Sequence, residues 1–401
     1  MRVFFPVIFS MVLIAILSTA EILLLRALHR DWWQRRWVRR ASWSVPTLGT
    51  ISLSLWALGI ALGSTLVGAI GATGTSIVFV IGAALMLGLP LSGVLHVIAG
   101  WMHRRRSRAR SVLVADLPVE ASRRRLLTTA AAAFPVAALT AGGTGLLNGL
   151  DDVRVHNVPL LFPDLHQDLE GLRIAHISDV HVGLALGLPD LERMAEQTAR
   201  AKPDLVLITG DFADDTDAYP DALKLAAAIA PRLGVFASIG NHEYFRGIDE
   251  IFRAYERGPV PLLLDSGAAV QVGEATLWLA GADDPRSLSR MAPGFFPRTL
   301  ERSLRDAPSD AFIISLSHRP ESFPDAARLG IPLTLAGHTH GGQIGFAGRS
   351  IVEYILPSKY MWGQYRLDGS QLYVSAGAGH WFPFRLGVPA EIPIYTLTRH
   401  A

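Results

Sequence analysis

The chain of 401 residues contains no cysteine, so it can form neither disulfides nor thiolate metal sites. Lysine is missing from residues 1–150, and acids are scarce there. That stretch holds 15 Arg against only Glu21, Asp31, Asp116 and Glu120, a net charge of +11. The rest holds 22 basic and 31 acidic residues, a net of −9, and the two halves give the overall +2. An acidic second half lacks the basic stripe that a nucleic-acid surface needs, so no nucleic-acid partner is expected.

What the first half has instead is long apolar runs. Residues 3–25, 45–70 and 75–101 are each long enough for a bilayer span of ~20 residues. A fourth run, 126–147, is richer in Ala and Gly and less apolar. The stretch Gly71-Ala72-Thr73-Gly74 reads as a turn between the second and third runs. Arginines cluster after the first run (Arg26, Arg30, Arg35, Arg36, Arg39, Arg40) and between the third and fourth (Arg104, Arg105, Arg106, Arg108, Arg110, Arg123, Arg124, Arg125). Basic loops stay in the cytoplasm, so about four transmembrane helices in 1–150 place the domain at 151–401 outside. Trp32, Trp33, Trp37, Trp43 and Trp101 sit near run ends, where indole favours the interface. Ser122-Arg123-Arg124-Arg125-Leu126-Leu127 resembles a twin-arginine export signal, with Leu126 and Thr128 departing from its usual pattern. The expectation is a multi-pass protein of the cell membrane, with the lipid bilayer as its partner.

From residue 171 the pattern changes to short apolar runs alternating with amphipathic helices, the signature of an α/β domain. Strands are expected at 172–177, 205–209, 234–239, 312–316 and 333–336, and helices at 189–200 and 220–230. Just past the strand ends stand Asp179-Val180-His181, Gly210-Asp211, Gly240-Asn241-His242-Glu243, Ser317-His318 and Gly337-His338-Thr339-His340. Open α/β sheets bind ligands at that end of their strands. Carboxylates, an amide oxygen and imidazoles are the donors a two-metal hydrolytic site uses, and they suit Mn, Fe or Zn. His176 lies inside a strand, outside this pattern, and reads as packing. His380, near Trp381 and Arg385, also reads as structural. Lys359, Tyr360, Trp362, Tyr365 and Arg366 read as a loop that could grip a headgroup or simply lie on the surface.

The motif series, with Gly337–Gln343 and the later Val374-Ser375-Ala376-Gly377 and Pro389-Ala390-Glu391-Ile392, resembles the calcineurin-like metallophosphoesterases, in their membrane-associated bacterial branch. The resemblance covers about residues 160–398. It implies an α/β fold, a β-sandwich flanked by helices and preceded by the helical membrane region. It also implies two divalent metal ions and a metal-dependent phosphoric ester hydrolase. Carried onto this chain, Asp179, His181 and His340 would hold one metal. Asn241, His318 and His338 would hold the other, Asp211 would bridge them, and His242 would be the catalytic group beside the phosphate. Glu243 stands where many members have Asp, which leaves the partner that orients His242 open. The expected substrate is a phosphate ester or diester of the cell envelope, a lipid or a wall polymer. One alternative is a pyrophosphohydrolase of a nucleotide-linked lipid precursor such as UDP-diacylglucosamine. Another is a membrane sensor or scaffold whose phosphoesterase domain only binds its ligand.

Overall fold

The computed structural model describes residues 5–62, 64–109, 118–149, 152–183, 186–288, 291–355, 360–380 and 382–400; Arg110, Lys359 and Trp381 lie outside them. The chain divides into two compact units, Met1–Leu147 and Asn148–Ala401.

The first unit is helical: α1 (Phe5–Leu28), α2 (Arg30–Trp33), α3 (Arg36–Leu62), α4 (Thr65–Ala109) and α5 (Pro118–Asn148). Among the described residues, three stretches, Val7–Leu28, Arg36–Leu62 and Leu66–Ile98, are long and apolar enough to cross a membrane. Residues 126–147 form part of α5, and the twin-arginine-like stretch also lies within α5. The expected turn at residues 71–74 is inside α4, and the break falls before Thr65. The reason is packing. A side chain on Gly71 would run into the backbone of Trp56, and one on Gly59 into that of Gly68. In water such small residues favour turns. Between apolar helices they let two backbones approach closely, which is what association in lipid depends on.

The second unit begins with β1 (Arg154–Leu161), β2 (Arg173–Ile177), α6 (Leu188–Arg200), β3 (Leu205–Thr209), α7 (Tyr219–Ala227) and β4 (Val235–Ser238). It continues with α8 (Asn241–Arg246), α9 (Ile248–Arg257), β5 (Ser266–Val272), β6 (Ala275–Gly281), α10 (Phe295–Ser303), β7 (Phe312–Leu316), α11 (Phe323–Arg328) and β8 (Leu333–Ala336). Last come β9 (Gly345–Phe346), β10 (Arg349–Ser350), β11 (Gly363–Leu367), β12 (Ser370–Val374) and β13 (Glu391–Thr398). Two main sheets form, ordered β1-β13-β2-β3-β4 and β11-β12-β8-β7-β6-β5. Ile174, Leu205, Leu207, Leu277, Leu279, Ile314, Leu333 and Tyr395 fill the space between them. On the outer face of the first sheet, Leu191, Leu223 and Ile251 of α6, α7 and α9 pack against Val206 and Ile208. The result is a β-sandwich flanked by helices.

Within the first sheet β2, β3 and β4 run parallel, and within the second β6, β7, β8 and β12 do. Parallel strands put all their C-terminal ends on one edge, so the loops after β2, β3, β4, β7 and β8 converge there. Residues 363–367, expected as loop, are the strand β11, paired antiparallel with β12. Its aromatic neighbours turn inward. Tyr360 packs edge-on against Phe323 and Tyr365. Trp362 donates its indole N–H to Glu391 at 3.1 Å, so these rings brace the fold. Glu391 also accepts the Ala376 N–H at 2.9 Å, which ties together the two late motifs.

Candidate metal centre

Each strand of the parallel core ends in a tight turn that presents a polar side chain. Asp179, His181, Asp211, His338 and His340 all adopt left-handed backbone conformations, with φ between 49° and 70°. Such conformations are strained for residues with a Cβ, at ~1–3 kcal/mol each, and concentrate at functional sites. Gly337 is required for close approach, because a side chain there would collide with Ser178 and Asp179.

Three groups of donors lie within 4.8 Å of one another: Asp179, His181 and His340; His181, Asp211 and His242; and Asp211, His318 and His338. Asp211 links the two ends of the cluster. Its Oδ2 is 3.1 Å from His318 Nε2 and 3.8 Å from His181 Nε2. His181 Nε2 and His340 Nε2 face each other at 3.2 Å, and His340 Nε2 is 3.5 Å from Asp179 Oδ1. Asn241 Oδ1 is buried with no hydrogen-bond partner. Lone pairs that face one another across such distances, beside a buried orphan amide oxygen, are what a pair of cations would satisfy. Two buried carboxylates in one cluster point the same way. Burial and then the charge of Asp211 push the Asp179 carboxyl up, against His318 and His181. For Asp211, burial also pushes up, but the charge and hydrogen bond of His318 hold it well below the usual range.

The surroundings fix several of these rings. His318 Nδ1 donates to the Thr209 carbonyl at 2.7 Å, which aims Nε2 at Asp211. Behind Asp179 runs a chain of hydrogen bonds with one direction. Ser178 Oγ donates to Asp179 Oδ2 at 2.5 Å, and Thr209 Oγ1 donates to Ser178 Oγ at 2.9 Å. His176 Nε2 must then donate to Thr209 Oγ1 at 2.7 Å, so its Nδ1 accepts from the Tyr395 hydroxyl at 2.8 Å. His176 is thus buried support for the site. At the other end, Arg319 is held by Asp284 at 2.8 Å and donates to His338 Nε2 at 2.7 Å. That bond puts the ring proton on Nδ1, 3.2 Å from His318 Nε2. For His338 Nδ1 to ligate, the ring must release that proton or give up the Arg319 bond.

Glu243 does not orient His242. Its carboxylate accepts the backbone N–H groups of Asp211 (3.0 Å), Phe212 (2.8 Å) and Gly240 (2.8 Å) and the Tyr219 hydroxyl (3.1 Å). It ties the loop after β3 to the loop after β4. The partner of His242 is Asp214, whose Oδ1 lies 2.6 Å from Nδ1. Sequence reasoning missed Asp214, because its partner His242 is 28 positions away. Asp214 also pairs with Arg246 at 3.2 Å. Burial alone would raise the Asp214 carboxyl, but the imidazoles of His181 and His242 hold it well below the usual range. Burial lowers His242; the Asp214 bond and the charges of Asp211 and Asp214 outweigh this and raise it above the ordinary imidazole value, against Arg246.

His380 is buried, and burial lowers it to about 4, ahead of the charges of Arg385 and His181. Arg385 is fully buried and donates to the carbonyls of Ala376, Gly377, Gly379 and Pro389. It clamps a loop whose Gly379 N–H bonds the Asp179 carbonyl at 3.0 Å.

A sandwich with this donor cluster at the ends of its parallel strands has the donor set that a two-metal hydrolytic site uses. Residues 172–342 match the family model of the calcineurin-like phosphoesterases. An uncharacterized metallophosphoesterase of Aquifex aeolicus is 31% identical over 229 residues, 56% of this chain and 85% of its own length. A transmembrane protein with metallophosphoesterase domain from Danio rerio is 31% identical over 260 residues, 62% of this chain. This chain spans 58% of that protein, and 54% of a similar metallophosphoesterase of Caenorhabditis elegans. The chain belongs to the calcineurin-like metallophosphoesterases, a family that uses two divalent metals.

Proposed function

We propose that this chain is a membrane-anchored phosphoesterase that hydrolyses a phosphate ester or diester of the cell envelope, with its catalytic unit outside the cytoplasm. Asp179, His181 and His340 would hold one ion, Asn241, His318 and His338 the other, and Asp211 would be shared. The observation that carries this reading is the position of Asp211 Oδ2 between His181 and His318. Two divalent cations, when bound, activate water and offset the charge of the phosphoryl oxygens. The chain's own residues do the rest. Asp211 sets the charge shared by the two ends. Asp214 orients His242 through Nδ1, leaving Nε2 free to hold a proton toward the phosphate or its leaving oxygen. Glu243 fixes the backbone of two ligand loops at once.

The arginine distribution supports an outward catalytic unit, and an envelope substrate follows from that orientation. The test is a screen of the purified full chain, with Mn added, against envelope phospholipids, wall polymers and nucleotide-linked sugars. EDTA is expected to abolish turnover, and Mn to restore it. Reporters fused after Ala401 and at Ser107 are expected to read outside and cytoplasm respectively. The reverse pattern, with turnover of a nucleotide-linked lipid precursor, would replace the envelope reading.

A further inference from the structure

After the last ligand candidate, His340, the chain forms a small element of its own. β9 and β10 pair antiparallel apart from both main sheets, and a 3-10 helix, Ile351–Tyr354, follows. Its apolar side chains point outward: Ile344 is 36% exposed, Phe346 78%, Ile351 41%, Tyr354 79% and Ile355 74%. Among the described residues of Asn148–Ala401, eight large apolar side chains are exposed, and five fall in residues 344–355. Single exposed apolar residues are ordinary, whereas five on one short element make a patch that marks a partner.

The patch is built on a satisfied backbone. Ile351 N–H bonds the Ile344 carbonyl at 2.9 Å, Ser350 Oγ caps Val352 N–H at 3.2 Å, and Glu353 is anchored from below by the Tyr365 hydroxyl. The charges of the segment cancel, because Arg349 pairs with Glu353 at 2.8 Å. An element with paired backbone groups, no net charge and outward apolar side chains can enter an apolar medium at low cost.

The tether indicates which medium that is. Gly149, one residue past the end of α5, packs against the backbone of Pro383 and Phe384. The same loop holds the base of the patch: Leu386 N–H bonds the Gln343 carbonyl and Gly345 N–H bonds the Leu386 carbonyl, both at 2.8 Å. Residue 149, at the start of the second unit, therefore lies against the loop that carries the patch. The apolar helices of the same chain give the second unit a bilayer at high effective concentration, which a free partner would not match.

We propose that residues 344–355 dock into the headgroup–acyl boundary of the membrane, and that the centre takes a phosphate carried on a lipid. The substrate half of this rests on the hydrolase reading above; the docking half does not. His340 precedes Ile344 by only four residues, so docking of the patch brings the centre close to the membrane surface.

The absence of cysteine makes the test clean. Phe346→Cys and Tyr354→Cys, with Glu256→Cys as an exposed control, each carry one environment-sensitive fluorophore in the full chain. The protein is held in nanodiscs of phosphatidylethanolamine and phosphatidylglycerol. Labels at positions 346 and 354 are expected to shift to the blue, to be quenched by spin-labelled lipid and to resist iodide, with the control doing the opposite. Iodide quenching equal to the control, or self-quenching between copies without lipid quenching, would overturn the docking. In the same discs, Phe346→Ser with Ile355→Ser is expected to raise KM for a lipid phosphate by about tenfold or more. Turnover of bis(p-nitrophenyl) phosphate should stay at the wild-type rate. An unchanged KM for the lipid would overturn the lipid substrate. A wild-type chain inactive on both would sink the hydrolase reading, while the labels still decide the docking.

Discussion

Between α3 and α4 the closest approaches are made by the smallest residues, with Gly59 against Gly68 and Gly71 against Trp56 backbone. Between the two sheets of Asn148–Ala401 the chain ends meet through charge: His318 from β7 bonds the Thr209 carbonyl of β3 and faces Asp211. In the first unit side chains are left out so that backbones can touch. In the second, strained backbone and buried carboxylates are held in place so that side chains can converge. Packing of the first kind survives many substitutions of similar size but not a large one. The second kind tolerates changes in the apolar layers but loses function when one donor changes.

Substitutions at the catalytic edge separate these two modes most strongly. His242→Ala is expected to lower kcat on a soluble phosphodiester by ~10²–10⁴, the range for a general acid, with both ions retained. Asp214→Asn, which removes only the partner of Nδ1, should cost less, ~10–100-fold. Metal analysis of the two variants checks the distinction. An ion lost on His242→Ala would make His242 a ligand, and equal losses of rate would make Asp214 more than an orienting group. Gly71→Leu should do the reverse. It forces α4 away from Trp56 and is expected to lower the thermal stability of the membrane unit, leaving kcat on the soluble ester within about twofold. A parallel collapse of kcat would show that the two units fold as one.

The smallest effect concerns His176, fully buried and lowered to about 3 by burial and then by the charge of His318. Below about pH 6.5 the unfolded chain takes up a proton there that the folded chain refuses. Stability contributed by this residue is therefore complete above that pH and falls as pH drops toward 3, by ~1.4 kcal/mol per unit at most. His176→Gln should flatten denaturant midpoints measured between pH 6.5 and 4.5. An unchanged slope would mean that other groups control acid stability.

Much of the catalytic unit is legible in the sequence, because apolar runs of strand length end in Gly or Ser followed by a donor. The strands at 205–209, 312–316 and 333–336 fall where those runs are. What escapes is whatever depends on approach through space. Asp214 reaches His242 across 28 positions, and Glu243 bonds Asp211 across 32, so neither role is visible from local spacing. The strand β11 hides behind its aromatic residues, which look like a surface loop until Glu391 and Phe323 are brought against them. The Gly71-Ala72-Thr73-Gly74 stretch misleads for another reason. Turn chemistry is learned from water, and between apolar helices the same residues form a packing face.

Asp211 is proposed as the shared ligand of the centre, and metal stoichiometry tests that role directly. Full-length protein loaded with Mn and freed of excess metal should hold two ions per chain, and Asp211→Asn should hold fewer than two while remaining folded. One ion per chain in the wild type, or two ions with unchanged turnover in Asp211→Asn, would contradict a dinuclear centre bridged by Asp211.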